Sequence, residues 1–287
     1  METDARIKNI MLEYYDSHPD YYTSLDLIAH EGEGGMDLKR IIGLILDNNA
    51  RRILDVGFGS GRMLTLVALE LHKRGYEAEC YGIDVSKNAV NVAEERIKNL
   101  GVNAKFLQAD AEGSLEFEDG FFDLVYSTYV LEHIVNPEAM MKNAIRVLKP
   151  KGVLYMTFPG TFHCYTSPFS RRNVPTTLKL LKIYDIIRMI FDGSYLRFRM
   201  TTPKLEGVCD DTDLVFLTSL PEIVRFLERN GMDVVDYDME GYVTAIKRKK
   251  VGKDSARPLK YAVQFVFFSG RLLRNAIFGP PKARSCL

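Results

Sequence analysis

Ile53-Leu54-Asp55-Val56-Gly57-Phe58-Gly59-Ser60-Gly61 is the run from which the architecture can be read. Residues 52–56 have strand character, and three glycines at alternate positions follow as a tight turn. Residues 62–74 show helical periodicity and stop at Gly75. A strand, a close turn and a helix bring backbone N–H groups and the positive end of a helix up to a ligand. A dinucleotide fingerprint, G-x-G-x-x-G, would need glycine where Arg62 stands, and the Gly-Lys-Ser/Thr ending of a Walker A loop is absent.

The alternation continues outward from this run. Strands are expected at 79–83, 104–108, 122–127 and 153–158. Helices are expected at 86–100, with Ser86 as N-cap, and at 137–148, opening on Pro137 and closed by Lys149-Pro150-Lys151-Gly152. Short strands alternating with longer helices mean βαβ units and a parallel sheet covered on both faces. The pattern breaks at Pro159 and resumes with a helix at 221–230 and strands at 232–238 and 242–247. The expected fold class is α/β: a Rossmann-like, doubly wound, mainly parallel sheet of about seven strands. Residues 51–158 and 219–248 form this core. Residues 159–218 are an inserted, mostly helical cap, with one helix near 178–191, because a structureless loop of that length is improbable. Residues 1–50 are helical on either side of a Gly-rich break at 30–35, with Ile7, Ile10, Met11 and Tyr14, then Leu38, Ile41, Ile42 and Ile45, at helical spacing.

The chain has 287 residues, 46% hydrophobic and 26% charged, which is ordinary globular composition. Its formal net charge of zero hides an asymmetry: residues 247–287 carry eleven Lys and Arg against one acid, Asp254. Such a split points to an anionic partner for the tail, or to a solvated tail that aids solubility. Residues 260–278 read as a basic amphipathic helix that either lies on an anionic membrane or packs on the body. Nucleic acid is the less favoured partner. The four cysteines form no metal clip, so no metal is expected; they fit a reducing compartment, and Cys80 reads as core. No secretory signal and no run of membrane-spanning length is visible, so a cytoplasmic protein, peripheral at most, is expected.

Candidate site residues gather at the carboxyl ends of the strands. Asp84 ends the second strand, twenty-three residues beyond Gly61. A carboxylate there either accepts from both hydroxyls of an unphosphorylated ribose or caps the following helix. Asp110 follows the third strand, and Ser127-Thr128-Tyr129 the fourth. Asp55, Asp84 and Asp110 with the glycine turn make a negative, concave rim. That suits a ligand with ribose, adenine and a cationic centre better than one with phosphates.

Residues 53–159 resemble the class I S-adenosylmethionine-dependent methyltransferases, especially the branch acting on small molecules, quinones and lipids. The resemblance rests on Leu54-Asp55-Val56-Gly57-x-Gly59-x-Gly61, Gly82-Ile83-Asp84-Val85-Ser86, Gln108-Ala109-Asp110-Ala111, Phe122-Asp123-Leu124-Val125, Leu131-Glu132-His133 and Arg146-Val147-Leu148-Lys149-Pro150-x-Gly152, in family order and spacing. It implies S-adenosyl-L-methionine as cofactor. Asp55, Gly57, Gly59 and Gly61 would then adjoin its methionine part. Asp84 and Val85 would hold the ribose, Asp110 and Ala111 the adenine, and Ser127 would approach the methionine end. It also implies an N-terminal lid over the cofactor, to which Tyr14, Tyr15, Tyr21 and Tyr22 belong, unless they simply pack a helix onto the body. The Asn/Asp-Pro-Pro-Tyr motif of the amine- and amide-methylating branch is absent after the fourth strand.

Methyl transfer needs alignment, exclusion of water and sometimes a base. His133 and His163 are the candidate bases; both also admit structural readings. Tyr129, Tyr165 and Arg171 are candidate acceptor-lining residues. The insertion mixes aromatics such as Phe162, Tyr184 and Phe198 with arginines such as Arg172, Arg188 and Arg199. That suits a partly apolar, partly anionic acceptor, hence a small or lipid-like molecule such as a quinone or isoprenoid. The rival expectation is a catalytically silent module that uses its basic tail on a membrane or partner.

Overall fold

The computed structural model describes residues 2–18, 20–22, 33–159, 175–192, 194–203, 205, 213–238 and 241–248. Seven strands form one sheet: β1 (Arg52–Val56), β2 (Glu79–Asp84), β3 (Ala104–Gln108), β4 (Phe122–Thr128), β5 (Leu148–Thr157), β6 (Met232–Asp238) and β7 (Tyr242–Lys247). Their spatial order is β3-β2-β1-β4-β5-β7-β6. The first five run parallel, and β7 runs antiparallel between β5 and β6. The chain moves outward from β1 through β2 to β3, then crosses back to β4 on the other side. That reversal opens a crevice at the carboxyl ends of β1 and β4, where ligands bind in such sheets.

Helices cover both faces, which is why the central strands read as nearly unbroken apolar runs. One face packs Leu54, Val125, Leu154 and Met156 against α5 (Pro137–Val147) and α7 (Leu220–Arg229). The other packs Ile53, Leu124 and Tyr126 against α2 (Glu33–Asp47), α3 (Arg62–Lys73) and α4 (Lys87–Ile97). Ile53, Leu54, Leu124 and Leu64 are wholly buried, each worth about 1.5–3 kcal/mol relative to exposure. The core also takes Cys80. α1 (Glu2–Ser17) and the inserted helix α6 (Thr176–Phe191) complete the described elements named here.

Local chemistry sets the helix starts. The Ser86 hydroxyl accepts from the N–H groups of Asn88 and Ala89 at 3.1 and 3.2 Å, and the Asn136 carbonyl from Ala139 N–H at 3.1 Å. Two expected boundaries differ. α2 begins at Glu33, inside the Gly-rich break, because burial of Ile41, Ile42 and Ile45 outweighs the helix cost of Gly34 and Gly35, about 1 kcal/mol each. β5 begins at Leu148 rather than after the Lys149–Gly152 stop: Phe122 pairs with Leu148 but Leu124 with Val153, so the intervening residues bulge out, with Lys151 left-handed at φ 70°. The expected helix at 260–278 lies outside the described residues.

The insertion packs on the outer side of α7. From Leu220 to Leu227 every residue of α7 is buried, including Glu222 and Arg225. Lys182 of α6 is fully buried and forms an ion pair with Glu222. Asp185, also buried, pairs with Arg199 and accepts from the Tyr195 hydroxyl. Replacing Lys182 by Met strands Glu222 without its counter-charge, a loss of about 3–5 kcal/mol. The double variant Lys182→Met, Glu222→Leu recovers most of that loss, as urea denaturation of the two proteins will show.

Candidate active site

The glycine turn is clamped to β2. Gly57 N–H donates to the Ile83 carbonyl at 2.8 Å. One carboxylate oxygen of Asp84, Oδ2, accepts from Gly59 N–H at 2.9 Å, and Oδ1 accepts from Ser86 N–H at 3.0 Å. Burial pushes this carboxyl up to about 6, against the pull of the N–H groups that favour its charged form. Asp84 thus organises the turn before α4, and each of its oxygens keeps a second lone pair.

The glycines divide their work. A Cβ on Gly61 would sit 2.5 Å from Ala93 Cβ, so Gly61 lets α3 approach α4. A Cβ on Gly57 would meet Val130 at 2.5 Å. Gly59, left-handed at φ 57°, is different: the nearest atom to its absent Cβ is Tyr22 Cδ1, 3.9 Å away. The backbone at Gly59 thus looks onto space.

The N-terminal segment spans the same edge. Lys8 of α1 reaches Asp110 at 2.6 Å and Glu112 at 3.2 Å. Asp16 accepts from the Ser86 hydroxyl at 2.7 Å. Tyr15 and Tyr21 donate to Asp213 Oδ2 at 3.0 and 2.8 Å. Burial, then the Asp213 charge, raises both phenols, so they act as donors. Around the third strand, the Val85 carbonyl accepts from Gln108 and the Ala111 carbonyl from Asn143.

Asp55 is 1% exposed, and neither of its oxygens has a hydrogen-bond partner. It pairs in register with Tyr126, whose hydroxyl lies beside it but outside hydrogen-bonding geometry. Burial drives this carboxyl up to about 8, eased by Tyr126 and reinforced by the Asp84 charge. Ser127 at the end of β4 is also buried, its hydroxyl without a partner.

Beyond β4 the chain turns sharply. Tyr129 is left-handed at φ 55°, held by its N–H to the Thr157 carbonyl at 3.1 Å, and is 41% exposed. A bulky residue in that region stores strain, which gathers at functional sites. His133 ends the short 3-10 turn Leu131–His133. Its Nδ1 lies 3.3 Å from Asp213 Oδ2 and its Nε2 3.9 Å from Glu132 Oε1. Asp213 thus joins the fourth-strand end to the N-terminal segment. It carried no sequence signal, because it stands in an irregular part of the insertion, and Lys8 and Asp16 looked like ordinary charges of a surface helix. His163, Tyr165 and Arg171 lie outside the described residues.

Asp55 and Asp84 both titrate higher in the fold than in the unfolded chain. The folded state therefore holds extra protons between their ordinary range and about 6 and about 8. Their contribution to stability is complete at low pH and is lost as pH rises through those values. Urea midpoints taken from about pH 5 to pH 9 should fall, and the isosteric Asp55→Asn variant should flatten the upper part of that decline.

Residues 54–156 match the family described as methyltransferase domain. The chain is 33% identical over 158 residues to the demethylmenaquinone methyltransferase of Thermus thermophilus, covering 52% of this chain and 70% of that protein. It is 31% identical over 107 residues to the ubiquinone biosynthesis O-methyltransferase of Methylococcus capsulatus; there the match covers 37% of this chain and spans only 43% of that protein's length. The fold is shared with the 1,6-didemethyltoxoflavin-N1-methyltransferase of Burkholderia thailandensis, solved with S-adenosylhomocysteine, at a TM-score of 0.53, with 14% identity and coverage of 84% and 90% of the two chains. With its seven-stranded sheet, its glycine turn and the carboxylate that ties the turn down, the chain belongs to the class I S-adenosylmethionine-dependent methyltransferases.

Proposed function

We propose that this methyltransferase acts on a lipid-like acceptor of quinone or isoprenoid type, with the cofactor cradled between the Gly57–Gly61 turn, Asp84 and the third-strand rim. The observation that carries the reading is Asp84 bound to Gly59 N–H at 2.9 Å, beside backbone that looks onto space. The residues present fit the cofactor. Asp84 has lone pairs for two ribose hydroxyls, and the buried, unpartnered carboxylate of Asp55 suits a ligand that brings positive charge. Asp110 and Ala111 would flank the adenine, with Lys8 sharing the Asp110 carboxylate. Ser127 and Val85 complete this half. S-adenosylmethionine supplies a methyl carbon already activated by its sulfonium.

The protein's own part is to align, to exclude water and to take a proton. Alignment alone supplies roughly 7–11 kcal/mol of such a barrier. α1 and Tyr22 would close the cofactor side as a lid. On the acceptor side, His133 would take the proton of an acceptor hydroxyl, oriented by Asp213, while Tyr129 lines the entrance. A quinone-like acceptor is supported by the names of the two relatives above and by the aromatic and arginine content of the insertion. The intact turn and Asp84 disfavour a silent binding module.

Calorimetric titration separates these roles. Asp84→Ala should weaken cofactor binding at least about tenfold, the loss of more than one charge-assisted hydrogen bond. Gly59→Ala should do the same with a stability loss of only about 1–2 kcal/mol for the left-handed backbone. Gly61→Ala should lose stability first, because Ala93 has no room to give. Unchanged affinity in Asp84→Ala would overturn the cofactor assignment. With an acceptor in hand, His133→Asn should lower kcat about 10²-fold without changing cofactor affinity, and Asp213→Asn should shift the pH profile of kcat. A full kcat in His133→Asn would exclude it as the base.

A further inference from the structure

The inserted helix α6 is built inside out. Lys182 and Asp185 point inward, 0% and 1% exposed, where Glu222 and Arg199 neutralise them. Ile186 and Met189 are buried on the same side. The outward side carries Leu180, Leu181, Tyr184 and Phe191, which are 61%, 45%, 53% and 87% exposed. At about 100° per residue these four fall within one stripe roughly 100° wide that runs about 16 Å along the helix. Four large apolar side chains on one outward stripe mark an interaction surface rather than a random scatter.

We propose that this face of α6 docks on a lipid bilayer with anionic headgroups. Charge selects that occupant. With Lys182 and Asp185 paired internally, the charge that α6 leaves exposed is Arg188, a cation. Around the helix Arg188 falls between Tyr184 and Leu181, its guanidinium over the Tyr195 ring at 4.3 Å, and exposed Arg197 follows. Among the described residues Asp192 is the acid beside this face, held by the Ser194 N–H at 3.0 Å and facing the Arg188 charge. An apolar stripe flanked by cations lies in the interfacial plane of an anionic leaflet, with apolar side chains in the acyl boundary and cations among headgroups. A second copy of the chain would bring like charges together. The basic segment 247–287 has the same sign and would add attraction from a distance. Among the described residues no helix is long and apolar enough to cross a membrane, so α6 would lie on the surface.

The sequence contains no tryptophan, so the Tyr184→Trp protein carries a single tryptophan, on the docking stripe, that can be excited apart from its tyrosines. Full-length protein is mixed with vesicles of phosphatidylcholine alone, or with a third phosphatidylglycerol. The expected result is a blue shift with the anionic vesicles, quenched by acyl chains brominated near the headgroup. Sedimentation of the full chain with those vesicles should fall roughly tenfold in Leu180→Glu, Phe191→Glu, with cofactor affinity and melting temperature unchanged. Three results would overturn the proposal. One is protein that pellets with an unshifted tryptophan, which assigns binding to the basic segment alone. Another is no pelleting at all. The third is a shift that follows protein concentration without vesicles, which places a second copy on the stripe. If the double variant fails to fold, the tryptophan reading still decides.

Discussion

One hydrogen bond organises the candidate site: the Asp84 carboxylate accepting the Gly59 N–H at 2.9 Å. It ties the end of β2 to the turn that follows β1, beside the point where the strand order reverses. The second oxygen of the same side chain holds the Ser86 N–H, and Ser86 in turn starts α4. A carboxylate used twice at the base of the cleft fixes the turn, and the left-handed backbone at Gly59 is left with no side chain of its own over that space. The cost is electrostatic: burial raises both carboxyls, Asp55 and Asp84, and the Asp84 charge raises Asp55 further, an arrangement a cationic ligand would relieve.

Around that base, distant parts of the chain are joined by polar contacts more than by apolar ones. Lys8 meets Asp110, Asp16 meets Ser86, and Tyr15 and Tyr21 meet Asp213. The N-terminal segment is thus tied to the ends of the second and third strands and to the insertion by charge-assisted hydrogen bonds, which are short-ranged and directional. The ties to Ser86 and Asp213 are buried at the protein end, so they hold the segment against the edge of the crevice. Asp213 joins this cover to His133, so closure of the segment and orientation of the imidazole share one carboxylate.

The insertion follows a different logic. Its helix turns Lys182 and Asp185 inward beside Ile186 and Met189 and leaves Leu180, Leu181, Tyr184 and Phe191 outward, unlike a helix made for water. The buried Lys182–Glu222 and Asp185–Arg199 pairs fix the rotation of α6 on the body, since any other rotation would leave a charge buried alone. The outward apolar stripe is the consequence of that fixed rotation.

The sequence by itself determined the sheet. Short apolar runs, glycine turns and capping residues are local, and Ser86, Pro137 and the Gly57–Gly61 run could be read without neighbours. Right-handed crossovers put helices on both faces, and Asp55, Asp84 and Asp110 fall on one edge because parallel strands end together. Tertiary structure alone decided what is not periodic. That Gly59 faces space while Gly57 and Gly61 face protein depends on Val130 and Ala93, far away along the chain. That Asp213 meets His133, Tyr15 and Tyr21 depends on folding the insertion back over the fourth strand. And the rotation of α6 depends on Glu222 in another helix: a nearly uniformly apolar helix has no rotation of its own, and only the long-range pairing of its few charges chooses one.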